Sequence, residues 1–107
     1  MEKRVYEYES KENGKAQQVV DNEPYADRSF AKQGYKVKEG KSVGGEDGKY
    51  YLYIQAEPDF FSWAEEKFKA AELESFKRAP KEIEGTVVQK IEEEDNAAEA
   101  GFGAIFG

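Results

Sequence analysis

The spacing of hydrophobic positions changes along the chain. In "RVYEYES", Val5, Glu7 and Glu9 alternate with Tyr6 and Tyr8, the period of two expected of a half-buried strand. Asn13-Gly14 follows in "KENGK", a pair that favours a turn with positive φ, and "AQQVV" supplies a returning strand. The first twenty residues therefore predict a β-hairpin. In "NEPYADRSFAKQG", Asn22 is a candidate N-cap, Pro24 suits a first helical turn and Gly34 is a stop, which predicts a short helix with Phe30 as its apolar contact.

"YKVKEGKSV" sets Tyr35 and Val37 on one face and Lys36 and Lys38 on the other. "KYYLYIQA" is dense in strand formers on both faces, as suits a central strand, and "GGEDGK" closes the two into a second hairpin. A phosphate loop would end in Gly-Lys-Ser/Thr and a calcium loop would space its acids regularly, so "GGEDG" reads as a turn.

The clearest helical pattern is "EPDFFSWAEEKFKAAELESFKRAPK". Pro58 and Asp59 mark its start, Pro80 bounds it, and Phe61, Ala64, Phe68, Ala71 and Ser75 form one stripe flanked by Phe60 and Trp63. Leu73 and Phe76 lie well round from the stripe and predict a second contact surface. Glu65, Glu66, Glu72 and Glu74 fall on the exposed side, with Glu65 and Lys69 spaced to support the helix. "EIEGTVVQKIEEE" predicts a final strand from Thr86 to Ile91. Together these elements give an α+β, two-layer domain over residues 1–91. Its antiparallel sheet comes from two hairpins and a candidate fifth strand, with one short and one long helix, and residues 92–107 form an acidic, apolar-ended C-terminal tail.

Composition narrows the chemistry. A chain of 107 residues fits one hydrophobic core, and 14% aromatic residues can build it. Cysteine and histidine are absent, which removes disulfides, thiolate and imidazole chemistry and ordinary zinc sites. No paired carboxylates stand out as an acid/base couple, so the expectation is a protein without catalytic residues, metal or cofactor. The abundance of Glu and Lys fits a thermophile. Nothing approaches the roughly 18 apolar residues of a membrane span, and the start lacks a secretory apolar stretch, which predicts a cytoplasmic protein without membrane contact.

The net charge of −7 is unevenly placed. From Glu82 onward there are seven acids and one base, a balance of −6, leaving −1 for the first 81 residues. Arg28, Lys32, Lys36, Lys38 and Lys41 stand within a local balance of +4, interleaved with Phe30 and Tyr35. This stretch is a candidate RNA contact, with cations on phosphates and aromatics on bases; the alternative is a solvated hairpin face.

The ending "EEEDNAAEAGFGAIFG" places Phe102, Ile105 and Phe106 behind a run of acids. On a helix, Ala98, Phe102 and Ile105 share one stripe with Phe106 beside it, a pattern that lays an apolar face into a groove. This ending resembles the extreme C-terminus of archaeal and eukaryotic acidic ribosomal stalk proteins, in which an Ala/Glu-rich run leads into Gly-Leu-(Gly or Ser)-Ala-Leu-Phe-Gly. Gly101, Gly103, Ala104, Phe106 and Gly107 match, whereas Phe102 and Ile105 stand where the archaeal pattern has leucines. The resemblance covers about 16 residues, and the rest of the chain shows neither the stalk proteins' helical dimerisation region nor their Ala-rich hinge. It implies a ribosome-associated binding protein whose tail captures a translational GTPase, with Phe102, Ile105, Phe106 and Ala98 as the contacts. Three alternatives stand beside it: anchors folded back onto Leu73 and Phe76, a small acidic virus- or phage-type inhibitor or nucleic-acid mimic, and a self-associating structural domain.

Overall fold

The computed structural model describes the backbone of residues 1–106 and the side chains of residues 1–95. Among the described residues there are four strands, β1 (Glu2–Glu9), β2 (Lys36–Glu39), β3 (Lys49–Ala56) and β4 (Lys77–Arg78). They form one antiparallel sheet in the order β2-β3-β1-β4. The helices are α1 (Asn13–Asp21), α2 (Phe30–Gln33), α3 (Gly40–Val43), α4 (Pro58–Ala70) and α5 (Lys81–Phe106), with a 3-10 turn at Ser10–Glu12. The expected α+β class and antiparallel sheet are thus the protein's own.

The pairing of β2 with β3 joins Val37 to Leu52 and Lys38 to Tyr51, as the second hairpin requires. The first hairpin does not form. Asn13 and Gly14 open α1, and the partner of β1 is β3, in register from Glu2 with Ala56 to Glu9 with Lys49. Within "AQQVV", Ala16 and Val20 are buried at i, i+4, and Gln17 donates to Asp21 one turn on at 3.1 Å. Helical spacing therefore outweighs the strand preference of the two valines. Asn22 is the C-cap of α1 rather than an N-cap, and the short helix starts later, where the Ser29 hydroxyl accepts the Lys32 amide.

Helix α4 begins at Pro58 as expected, and Phe60, Phe61, Ala64 and Phe68 are its buried positions. It stops at Ala70, well before Pro80. Glu72 takes a left-handed conformation at φ 60, and the Ala71 and Glu72 amides close the helix onto Lys67 and Lys69 carbonyls. Leu73 and Phe76 then turn inward. Phe76 stacks on Phe68 with ring centroids 4.0 Å apart and on Tyr6 at 5.0 Å, so these residues complete the core instead of offering a second contact surface.

Residues 86–91 are helical, which replaces the predicted final strand by the middle of α5. Val87 and Ile91 are buried and Ile83 and Val88 partly so, an i, i+4, i+8 series that fits a helix lying on a sheet. Because α1, α2 and α4 cover one face and α5 the other, the architecture has three layers, not two. Odd-numbered side chains of β1 and β3 (Val5, Tyr51, Tyr53) meet α5, while Tyr6, Tyr8, Leu52 and Ile54 meet α4. The boundary expected at residue 91 is also crossed by α5, which is continuous from Lys81 to Phe106.

Candidate functional site

Ala98, Phe102, Ile105 and Phe106 lie outside the residues whose side chains are described. The five basic candidates are divided by the fold. Arg28 pairs with Asp59 of α4 at 2.9 Å, and Lys32 Nζ donates to the Tyr25 carbonyl at 3.3 Å, both on the α4 side. Lys41 lies in α3, 3.7 Å from Asp47. Lys36 and Lys38 of β2 sit on the α5 face of the sheet, where their partners are acids of α5: Asp95 for Lys36, and Glu94 at 3.3 Å for Lys38.

The sheet register adds a third cation to these two. Val5 lies opposite Tyr53 and Lys3 opposite Gln55, while Lys36 lies opposite Tyr53 from the other side. Lys3, Tyr53, Lys36 and Lys38 consequently share one face across β1, β3 and β2. Lys3 bonds Glu92 of α5, and that hydrogen bond raises the ammonium pKa against a smaller effect of desolvation. One cation of β1 and two of β2 thus meet Glu92, Glu94 and Asp95. Burial pushes the Tyr53 phenol upward, with Lys3 opposing it.

The first turns of α5 are held differently. Glu84 accepts the Val5 backbone amide at 2.9 Å and both ends of the Arg78 guanidinium at 2.9 Å. Desolvation alone would raise the Glu84 carboxyl, but these hydrogen bonds outweigh it and hold it below the usual carboxylate range. Next come Val87 and Ile91, with 0% and 1% of their surface exposed. By contrast, the side chains in the three pairs at residues 92–95 are between 37% and 53% exposed. This helix therefore changes from apolar and bidentate anchoring to solvent-exposed charge pairing at Ile91.

An open cavity of about 430 Å³ adjoins the Lys36–Asp95 pair. Among the described residues it is lined by Tyr35, Tyr53, Gln33, Gln55 and Lys36, with Met1 and Gly34 at its rim. Gln33 Nε2 donates to the Gln55 carbonyl at 2.7 Å, which fixes the amide at the cavity wall. The Tyr53 phenol, side-chain amides and a cation offer stacking and hydrogen-bonding groups together, while the Tyr35 ring closes the far wall against Phe30.

Three further polar clusters serve the fold. Glu65 accepts from Tyr6 Oη at 2.7 Å and Arg4 Nη1 at 3.0 Å, while Arg4 also lies over the Phe61 ring. Glu12 accepts from the Ser75 hydroxyl and from the Ser75 and Glu74 amides, which together hold its carboxyl below the usual range and fasten the loop after α4. Deep on the α5 face, Glu7 is 2% exposed and takes a 2.5 Å bond from Lys49. Its other oxygen has no partner among the described residues.

No group of three or more metal-binding side chains occurs among the described residues. Among them too, no helix is long and apolar enough to cross a membrane. Comparison with protein-family models, with curated proteins and with solved structures finds no match to this chain in any of the three. Lys3, Tyr53, Gln33 and Gln55 are the residues that sequence reasoning missed. The alternation of β1 marks Lys3 as sharing a face with Val5, but only the register with β3 places it beside Tyr53 and β2.

Proposed function

We propose that the protein is a non-enzymatic binding module: a three-layer body that carries a C-terminal helical arm for a protein partner. The observation that carries this reading is the construction of α5. Its residues are anchored to the sheet up to Ile91 and paired with it by exposed charges up to Asp95, and the stripe occupied by Val87 and Ile91 continues in the sequence through Ala98, Phe102 and Ile105. An apolar stripe prolonged beyond the acids that grip β2 suits a groove on a partner. The stalk-protein resemblance supplies the partner's class, a translational GTPase, with Phe102, Ile105 and Phe106 as anchors and Ala98 as the small residue that permits close approach. Ribosome association follows from the same resemblance.

Mimicry of a nucleic acid by the acidic segment has less support. Three of its acids face lysines of the same chain, so they do not form a free array of fixed negative charge. The test is calorimetric titration of the full chain with a purified translational GTPase. Specific binding lost in Ile105→Ala with Phe106→Ala, with the circular dichroism unchanged, supports the reading. Absence of binding by the wild type, or equal binding by the double variant, would overturn it.

A further inference from the structure

We propose that the sheet face beneath residues 92–95 of α5 is a masked binding site for single-stranded nucleic acid. Lys3 of β1 and Lys36 and Lys38 of β2 flank β3, which presents Tyr53 on the same face between them, with neighbouring strands about 4.8 Å apart. Cations tracking a backbone beside an aromatic ring are what a single strand requires, and every base has a face to stack. In the free protein the three lysines are held by Glu92, Asp95 and Glu94. Carboxylates here stand where phosphates would.

One observation shows how the face can open, and a second favours nucleic acid over another anion. The mask is soft, because its pairs are exposed and screened by salt, whereas the helix below them is fixed by Val87, Ile91 and Glu84. Residues 92–95 can therefore detach at Ile91 without unfolding the body. The second observation is the cavity of about 430 Å³ at the margin of the mask, where the Tyr53 ring with the Gln33 and Gln55 amides offers a planar heterocycle both stacking and hydrogen bonds. A simple acidic peptide would use the lysines and leave that cavity unused. This proposal stands independently of what Phe102, Ile105 and Phe106 bind.

The experiment is fluorescence anisotropy of labelled oligouridine with the full chain at one fixed low salt concentration. Glu92→Gln, Glu94→Gln and Asp95→Asn together open the mask, and Glu23→Gln, Glu66→Gln and Glu74→Gln apply the same charge change at exposed positions elsewhere. The first set is expected to tighten binding about fivefold relative to the second. Lys36→Gln with Lys38→Gln should abolish the gain, and Tyr53→Leu should weaken oligouridine without affecting a polyglutamate probe. Because the chain has no cysteine, Lys38→Cys with Glu94→Cys joined by a short bis-maleimide closes the mask permanently and should block the binding that the same double variant shows before cross-linking. Equal affinities for the two charge-matched sets, undiminished binding by the cross-linked protein, polyglutamate binding as tight as oligouridine, or no oligouridine binding at all would each overturn the proposal.

Discussion

On the α4 side of the sheet, Phe30 contacts Phe60, Trp63, Phe68 and Tyr35, and Phe76 lies between Phe68 and Tyr6, so rings touch rings through the whole layer. On the α5 side the buried set is Val5, Val43, Tyr51, Ala79, Val87 and Ile91, with a carboxylate, Glu7, among them. The first layer is wide, aromatic and contributed by three helices; the second is α5 with Val43 of the short α3 on a narrower, mainly aliphatic strip that gives way to ion pairs. On the proposed reading, stability and recognition are allotted to opposite faces. A region meant to open cannot be the one that holds the molecule together.

Removing one large side chain from each face tests that division. Phe68→Ala deletes the ring at the centre of the aromatic layer and is expected to cost about 3–5 kcal/mol in urea denaturation. Ile91→Ala on the opposite face should cost about 2 kcal/mol. An Ile91 variant as damaging as the Phe68 variant would erase the contrast.

The pH dependence comes next and involves both faces. Glu12 and Glu84 are held below the usual range, so their stabilisation is complete above the unfolded carboxyl value of about 4.3 and disappears as pH falls through the folded values. At the other extreme, burial pushes Tyr8 up to about 12. Its contribution is complete below about pH 10 and is lost as pH rises towards the folded value. Denaturation midpoints across pH should show both limbs, and Glu84→Gln should flatten only the acid one.

The smallest effect sharpens the account of α5. Gly85 is an exposed helical residue with nothing within 4 Å of an added Cβ. Gly85→Ala should stabilise by about 0.5–1 kcal/mol in the same urea measurement, as expected for an exposed position inside a formed helix; no gain would mean that α5 is not formed there.

Strand β3, the β2–β3 pair and the start of α4 were legible because local pattern and tertiary environment agree there. The stretches "AQQVV" and "TVVQKI" misled because adjacent β-branched residues favour strands, while burial rewards Ala16 with Val20 and Val87 with Ile91, each one helical turn apart. The end of α4 was hidden by Glu72, a residue type that seldom takes a left-handed conformation. Of the basic candidates, Lys36 and Lys38 were placed on the right strand, but their acidic partners are Asp95 and Glu94, some 59 and 56 positions on in the sequence. No local pattern carries a pairing over that distance. Lys3 joined the same face only through strand register.

The most direct test of the central claim is hydrogen exchange along α5. Amides up to Ile91 should show protection near that of the sheet, and amides after it should exchange much faster and faster still as salt is raised. Uniform protection through Asp95 that does not respond to salt would contradict it, because residues 92–95 would then belong to the rigid body and could not act as a mask.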